Sequence, residues 1–141
     1  MKVFLGGTIE GRDWGAELIP LLKIDYFNPI VENWNEEAKQ EELEQRKICD
    51  YVLYVITEGM SGVYSIAEVT EDSVRNPQKT IFCVNIRNVK IDKQVMNNLN
   101  AVKDLVKRNG AYCFDSLNEI ADFLNNQIKI SNQIRRIGNL I

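Results

Sequence analysis

The stretch Gly59-Met-Ser-Gly-Val-Tyr-Ser-Ile-Ala-Glu68 joins a glycine-rich loop to a helical pattern just after the most apolar run of the chain. Read as a helix, it puts Ser61, Tyr64, Ser65 and Glu68 on one face and leaves Val63, Ile66, Ala67 and Val74 to pack toward a sheet. A carboxylate on such a face, near a helix N-terminus and beside Ser hydroxyls, is favoured in its ionised form. That suits a nucleophile better than a general acid. The same spacing also fits a structural role, because Ser65-Ile-Ala-Glu68 matches the S-x-x-E capping box, in which the Glu returns to the Ser backbone N–H. Spacing leaves both readings open.

Few other groups compete for chemistry. The chain has no His, which removes the commonest general base and the Ser-His and Cys-His nucleophile pairs. Proton chemistry must then come from carboxylates, Tyr, Lys or bound water. Cys49, Cys83 and Cys113 form an odd set without CxxC spacing, and without His a zinc site lacks its usual ligand mixture. They are expected to be reduced core or strand thiols, with no metal and no cofactor.

The Gly6-Gly7-Thr8 turn would let a ligand approach the backbone closely, or it is simply a tight strand-to-helix turn. It is neither GxGxxG nor a Walker loop, so a dinucleotide or NTPase reading has little support. Trp14 and Trp34 each follow a loop, where an aromatic face either sandwiches a base or ribose or packs against a helix start.

The elements that must position these residues follow from alternating apolar runs and helical patterns, the signature of βαβ units and a parallel sheet. Strands are expected at Lys2 to Leu5, Ile24 to Phe27, Tyr51 to Ile56, Thr80 to Val84 and Ala111 to Phe114. The third reads Tyr-Val-Leu-Tyr-Val-Ile without alternation, as a central strand covered on both faces should. Helices are expected from Asn35 to Ile48, from Gly62 to Arg75, from Asp92 to Gly110, and from the capping box Ser116-Leu-Asn-Glu119 onward. Pro20 should kink or shorten the helix near Asp13 to Leu22.

The spacing predicts a single α/β domain over residues 1–141, doubly wound, with a five-stranded parallel sheet flanked by helices. In such sheets ligands bind outside the carboxyl ends of the strands. That places Gly6 to Asp13, Asn28 to Trp34, Thr57 to Ser65 and Asn85 to Lys90 on the binding side. It sets aside Asp50, which immediately precedes the third strand.

A net charge of −3 over 141 residues gives no general electrostatic reason to approach polymeric nucleic acid or an anionic membrane. A small-molecule partner fits better. The residues after Met1 are too briefly apolar for a signal peptide, and no run approaches about 18 apolar residues, so a cytoplasmic location is expected.

Phe-Leu-Gly-Gly-Thr-Ile near the start, Asn28-Pro29 followed by Trp34, Cys49-Asp50 before an apolar strand, and Ser65-Ile-Ala-Glu68-Val occur in that order. Together, over residues 2 to 85, they resemble the nucleoside 2-deoxyribosyltransferase-like family. The resemblance implies a flavodoxin-like sheet and a homo-oligomer acting on nucleosides or nucleotides. It also implies a glutamate, here Glu68, that attacks the anomeric carbon of a deoxyribonucleoside. The deoxyribosyl-enzyme is then captured by a second base or by water, with the logic of a retaining glycosidase.

A second acid that binds and protonates the departing base matches Glu42, which otherwise belongs to a solvated run with Glu41 and Glu44. Gly6, Gly7, Thr8, Asn28, Trp34, Ser61, Gly62 and Ser65 would line the substrate site. Two positions depart from the family pattern: Phe4 stands where a strand-one Tyr would hydrogen-bond the nucleophile, and Gly62 where an Asp would contact the base. Two alternatives therefore stand beside the deoxyribosyl reading: a non-catalytic nucleotide-binding or sensing module, and a nucleotide N-glycosidase accepting ribonucleotides.

Overall fold

The computed structural model describes residues 1–59, 62–87 and 90–140. Five parallel strands, β1 (Lys2–Gly7), β2 (Asp25–Phe27), β3 (Tyr51–Ile56), β4 (Thr80–Val84) and β5 (Tyr112–Phe114), form one sheet in the order β2-β1-β3-β4-β5. Five helices connect and cover them: α1 (Trp14–Leu18), α2 (Glu36–Ile48), α3 (Val63–Arg75), α4 (Lys93–Arg108) and α5 (Leu117–Gly138). This is the flavodoxin-like arrangement, with its switch point between β1 and β3.

Alternate residues of the strands feed two apolar clusters. Val3, Leu5, Leu53, Val55 and Ile81 pack under Trp14 and Leu18 of α1 and Leu117, Ile120 and Leu124 of α5. Phe4, Val52, Tyr54, Ile56 and Phe82 face Val69 of α3 and Leu99 and Val106 of α4. Because both faces are covered, β3 needs apolar residues at every position.

The expected caps are formed. Asn35 Oδ1 accepts from the Ala38 N–H, Asp92 Oδ1 from Gln94 and Val95, and Ser116 Oγ from Glu119. Gly110 follows α4 with φ +101°, which permits the left-handed turn that ends a helix. Pro20 shortens the first helix to a single turn, continued as a 3₁₀ turn over Ile19–Leu21.

Strand β1 runs to Gly7, two residues further than its apolar run suggests. Gly7 pairs with Val55 at φ +114°, and a Cβ there would strike the Val55 backbone. The close contact of β1 with β3 thus requires this glycine.

The inward face of α3 differs from the expected one. Val63 (80% exposed), Ala67 and Val74 point outward, while Ser65, Val69, Asp72 and Ser73 are buried. The polar groups go inside because partners await them. Ser73 Oγ donates to the Thr70 carbonyl at 2.8 Å and accepts from Asn109 Nδ2 at 3.0 Å, and Asp72 meets the Tyr54 hydroxyl and Arg46. A buried polar residue with its bonds made carries little penalty.

Candidate active site

The carboxyl ends of β1 and β2 open into a pocket of about 150 Å³ lined by Gly7, Asp13, Trp14, Asn28, Pro29 and Glu42, among others. Glu42 comes from α2, and its half-burial contrasts with the exposed Glu41 and Glu44. It therefore leaves the solvated run it belongs to in sequence. The stripe Ala38, Glu42, Gln45, Arg46 turns inward at helical spacing.

Glu68 reaches the same face of α2. Its Oε2 lies 3.4 Å from Nη1 of Arg46, one turn beyond Glu42, and its side chain is 12% exposed. The helix starts at Val63 with Gly62 as N-cap and no side-chain cap, so Ser65 lies inside the helix. The capping-box geometry for Glu68 is thus not realised, since a box requires the Ser at the N-cap itself.

Burial raises the Glu68 pKa, and the charges of Glu42, Asp72 and Glu71 raise it further against the opposing pull of Arg46, to about 7. The helix N-terminus does not hold Glu68 ionised, as its place in α3 had suggested. It sits in the second turn, beyond the reach of the dipole, and desolvation dominates.

Arg46, Asp72 and Tyr54 complete this largely enclosed group, a grouping that no single spacing in the sequence showed. The Tyr54 hydroxyl donates to Asp72 Oδ2 at 2.6 Å. Arg46 donates through Nε to Asp72 Oδ2 at 3.1 Å and through Nη2 to Oδ1 at 3.0 Å. Burial works against the Arg46 charge, yet Asp72 and the fields of Tyr54 and Glu68 hold its pKa above the ordinary arginine value. Burial, followed by Asp72, pushes the Tyr54 phenol up, which keeps it protonated as a donor. Two sequence signals pointed here: a Tyr inside a fully apolar strand needs a partner for its hydroxyl, and Asp72 follows Glu68 by one helical turn.

The other expected site residues are dispersed. Gly6 is buried in β1, where a Cβ would crowd the Phe4 and Tyr54 rings at 3.0 Å. Thr8 is buried, with its hydroxyl accepting from the Thr57 N–H at 3.1 Å and sharing a hydrogen with the Thr57 hydroxyl. Its carbonyl accepts from the Trp14 indole at 2.8 Å, so Trp14 packs in the core. Trp34 is 62% exposed and is not among the residues lining the pocket. Ser65 is buried one turn before Glu68, and Ser61 lies outside the described residues. Asp50 accepts from the Lys2 N–H at 2.8 Å, which accounts for it structurally.

Gly62 abuts Thr8 so closely that a Cβ would collide with the Thr8 methyl. Since Thr57 locks that side chain, no larger residue fits without moving it. Phe4 stacks on Phe27 with centroids 5.8 Å apart and brings no hydroxyl to the site.

The loops on the far side of β1 are strapped together. Arg12 donates to both Glu58 oxygens at 3.3 Å, to Glu17 at 2.6 Å and to the Asn85 carbonyl at 2.7 Å. These bonds tie the carboxyl ends of β1, β3 and β4 into one rim. A second pocket of about 290 Å³ lies between α2 and α3, bordered by Arg46, Asp72, Arg75 and Lys79, and holds none of the glycine-loop residues.

No group of His, Cys, Asp and Glu able to hold a metal occurs among the described residues. Among them, no helix is long and apolar enough to cross a membrane. Cys49, Cys83 and Cys113 are free thiols, and burial raises the pKa of each.

Fold and site together define a doubly wound α/β protein with Glu42 on the wall of a pocket at the carboxyl ends of β1 and β2 and Glu68 outside that wall; the carboxyl ends of the strands are where such sheets take small ligands. Residues 1–86 match the family model described as nucleoside 2-deoxyribosyltransferase like, and the chain belongs to that family. Nucleoside-related glycosyl transfer is the function this family carries. The match covers β1 through β4 with the helices between them. No curated protein sequence matches the chain.

Proposed function

We propose that this protein cleaves or exchanges the base of a deoxynucleoside or deoxynucleotide through Glu68. The Glu68 carboxylate attacks the anomeric carbon, the glycosidic bond breaks with its electron pair going to the base nitrogen, and a deoxyribosyl ester forms. Glu42, on the wall of the pocket, hydrogen-bonds the departing base and supplies its proton. Water or a second base then attacks the same carbon from the vacated face while its proton passes to Glu42, restoring both glutamates and the original configuration.

The observation that carries this reading is a largely enclosed glutamate, free of any capping role, whose charge interacts with that of a second glutamate on the wall of the pocket. The pocket is smaller than the roughly 300–1,000 Å³ of sites that enclose a whole drug-sized ligand. It suits one ring of a nucleoside. Asn28 and the Gly7 backbone line the pocket and would orient that ring.

A specific feature favours water over a second base as acceptor. Gly62 offers no side chain to hold an incoming base, and Thr8 fills the space beside it. Phe4 and Gly62 also keep a nucleotide-sensing module as the competing reading.

The test is incubation with a panel of deoxynucleosides, ribonucleosides and their monophosphates, with and without a free second base. A slow 2-fluoro substrate and mass spectrometry of the denatured protein then locate the adduct. Base release with an adduct on Glu68 is expected. An adduct elsewhere in an active preparation removes Glu68 from the role, and binding without turnover favours the sensing module. Self-association, which the family resemblance implies, is read from light scattering of the same preparation.

A further inference from the structure

Asp72 and Tyr54 lie one layer behind the carboxylate that the proposed reaction uses, and Arg46 connects them to it. The guanidinium is held by Asp72 at two points, 3.1 Å through Nε and 3.0 Å through Nη2. Two-point contact fixes the plane of the fork. Its remaining nitrogen, Nη1, is left beside Glu68 Oε2 as an ion-pair contact 3.4 Å away, while Nη2 also reaches the Glu68 backbone carbonyl at 3.4 Å. The Tyr54 hydroxyl, 2.6 Å from Asp72 Oδ2, anchors the assembly to the central strand.

Side-chain exposure falls to 15% at Arg46 and 10% at Asp72, so little solvent competes for these contacts. A side chain held on three sides loses little freedom when it makes a fourth contact.

We propose that Tyr54, Asp72 and Arg46 form a positioning relay that fixes the direction of the Glu68 carboxylate and keeps it ionisable inside a buried, acidic setting. The inference rests on Glu68 as nucleophile and adds residues that act through it. Five groups face or act on Glu68: Arg46 and Glu42 from α2, Asp72 and Glu71 from α3, and Tyr54 from β3. Arg46 is the cation of that set. Its charge favours ionised Glu68, and its clamped geometry sets where the oxygens point.

Charge and geometry separate by substitution. Carbon-13 NMR of glutamate-labelled protein, assigned with Glu68→Gln, reads the Glu68 titration without any substrate. Arg46→Gln should move its midpoint upward. Arg46→Lys keeps the charge but cannot make the two-point contact, so the midpoint should stay near that of the unmodified protein. Its kcat should nevertheless fall by roughly tenfold to a hundredfold, the scale of a small misplacement of a reacting group, with KM nearly unchanged.

Tyr54→Phe removes a single oxygen and serves where an Arg46 variant does not fold. It should lower kcat in the same KM-independent way. Full kcat in Arg46→Lys and Tyr54→Phe, or an unmoved Glu68 midpoint in Arg46→Gln, overturns the relay. Unmodified protein that turns over no nucleoside overturns the nucleophile reading instead. A moved midpoint in that same protein still supports the Arg46 contact, so the two failures are distinct.

Discussion

Glu68 is poised between its two protonation states at neutral pH, and this has consequences of opposite sign for rate and for stability. A nucleophile must be ionised, so kcat/KM for deoxynucleoside cleavage should climb with pH along a limb centred at about 7, because that ratio reports ionisations of the free enzyme. Folding responds the other way. The native pKa lies above the ordinary 4.5, so the folded state binds the proton more tightly than the unfolded chain does. The associated stability is present in full below about pH 4.5 and is lost as pH rises through about 7, a change of up to about 3 kcal/mol. Glu68→Gln should therefore unfold at a higher temperature than the unmodified protein at pH 8 and at a similar one at pH 4, while losing turnover. Thermal melts at the two pH values check this. Gly62→Asp, which would supply the side chain that other family members use at the base, should instead lower the melting temperature, since its Cβ collides with a Thr8 methyl held by Thr57.

Among the elements, the strands were legible because each covers one continuous requirement, burial on both faces, and the helices because their capping residues sit at fixed offsets. Asn35, Asp92 and Ser116 all cap as their spacing indicates. The face of α3 was not legible. A valine reads as core and an aspartate as surface unless the partners of the aspartate are known, and Arg46 and Tyr54 lie 26 and 18 residues away from Asp72 in sequence. For the same reason Glu68 was equally readable as a cap, and only the start of the helix at Val63 separates the two. The end of β1 shows the reverse case, where local chemistry sufficed in principle: Gly7 holds a positive φ against the Val55 backbone. Gly7→Ala should cost more than the roughly 1 kcal/mol of an ordinary Gly-to-Ala mismatch, because strain and collision coincide there. Chemical denaturation measures that cost.

At the scale of the molecule, the doubly wound parallel sheet followed from the βαβ pattern and its flavodoxin-like form from the family resemblance, and family membership rests on the first 86 residues. How the helices are fastened to the sheet did not follow from any pattern. α1, α3, α4 and α5 each bury side chains against it, whereas α2 buries none, and its larger apolar residues Leu43 and Ile48 are exposed. The attachments of α2 are ionic: Arg46 to Asp72 and Glu68, and Lys79 reaching the carbonyls of Arg46, Lys47 and Cys49 at its C-terminal end. A helix secured this way should open locally as its own unit, at a lower free energy than the sheet. Its amides should exchange with solvent deuterium before those of β3. Glu42 would ride out with it, so the wall of the pocket would double as its entrance.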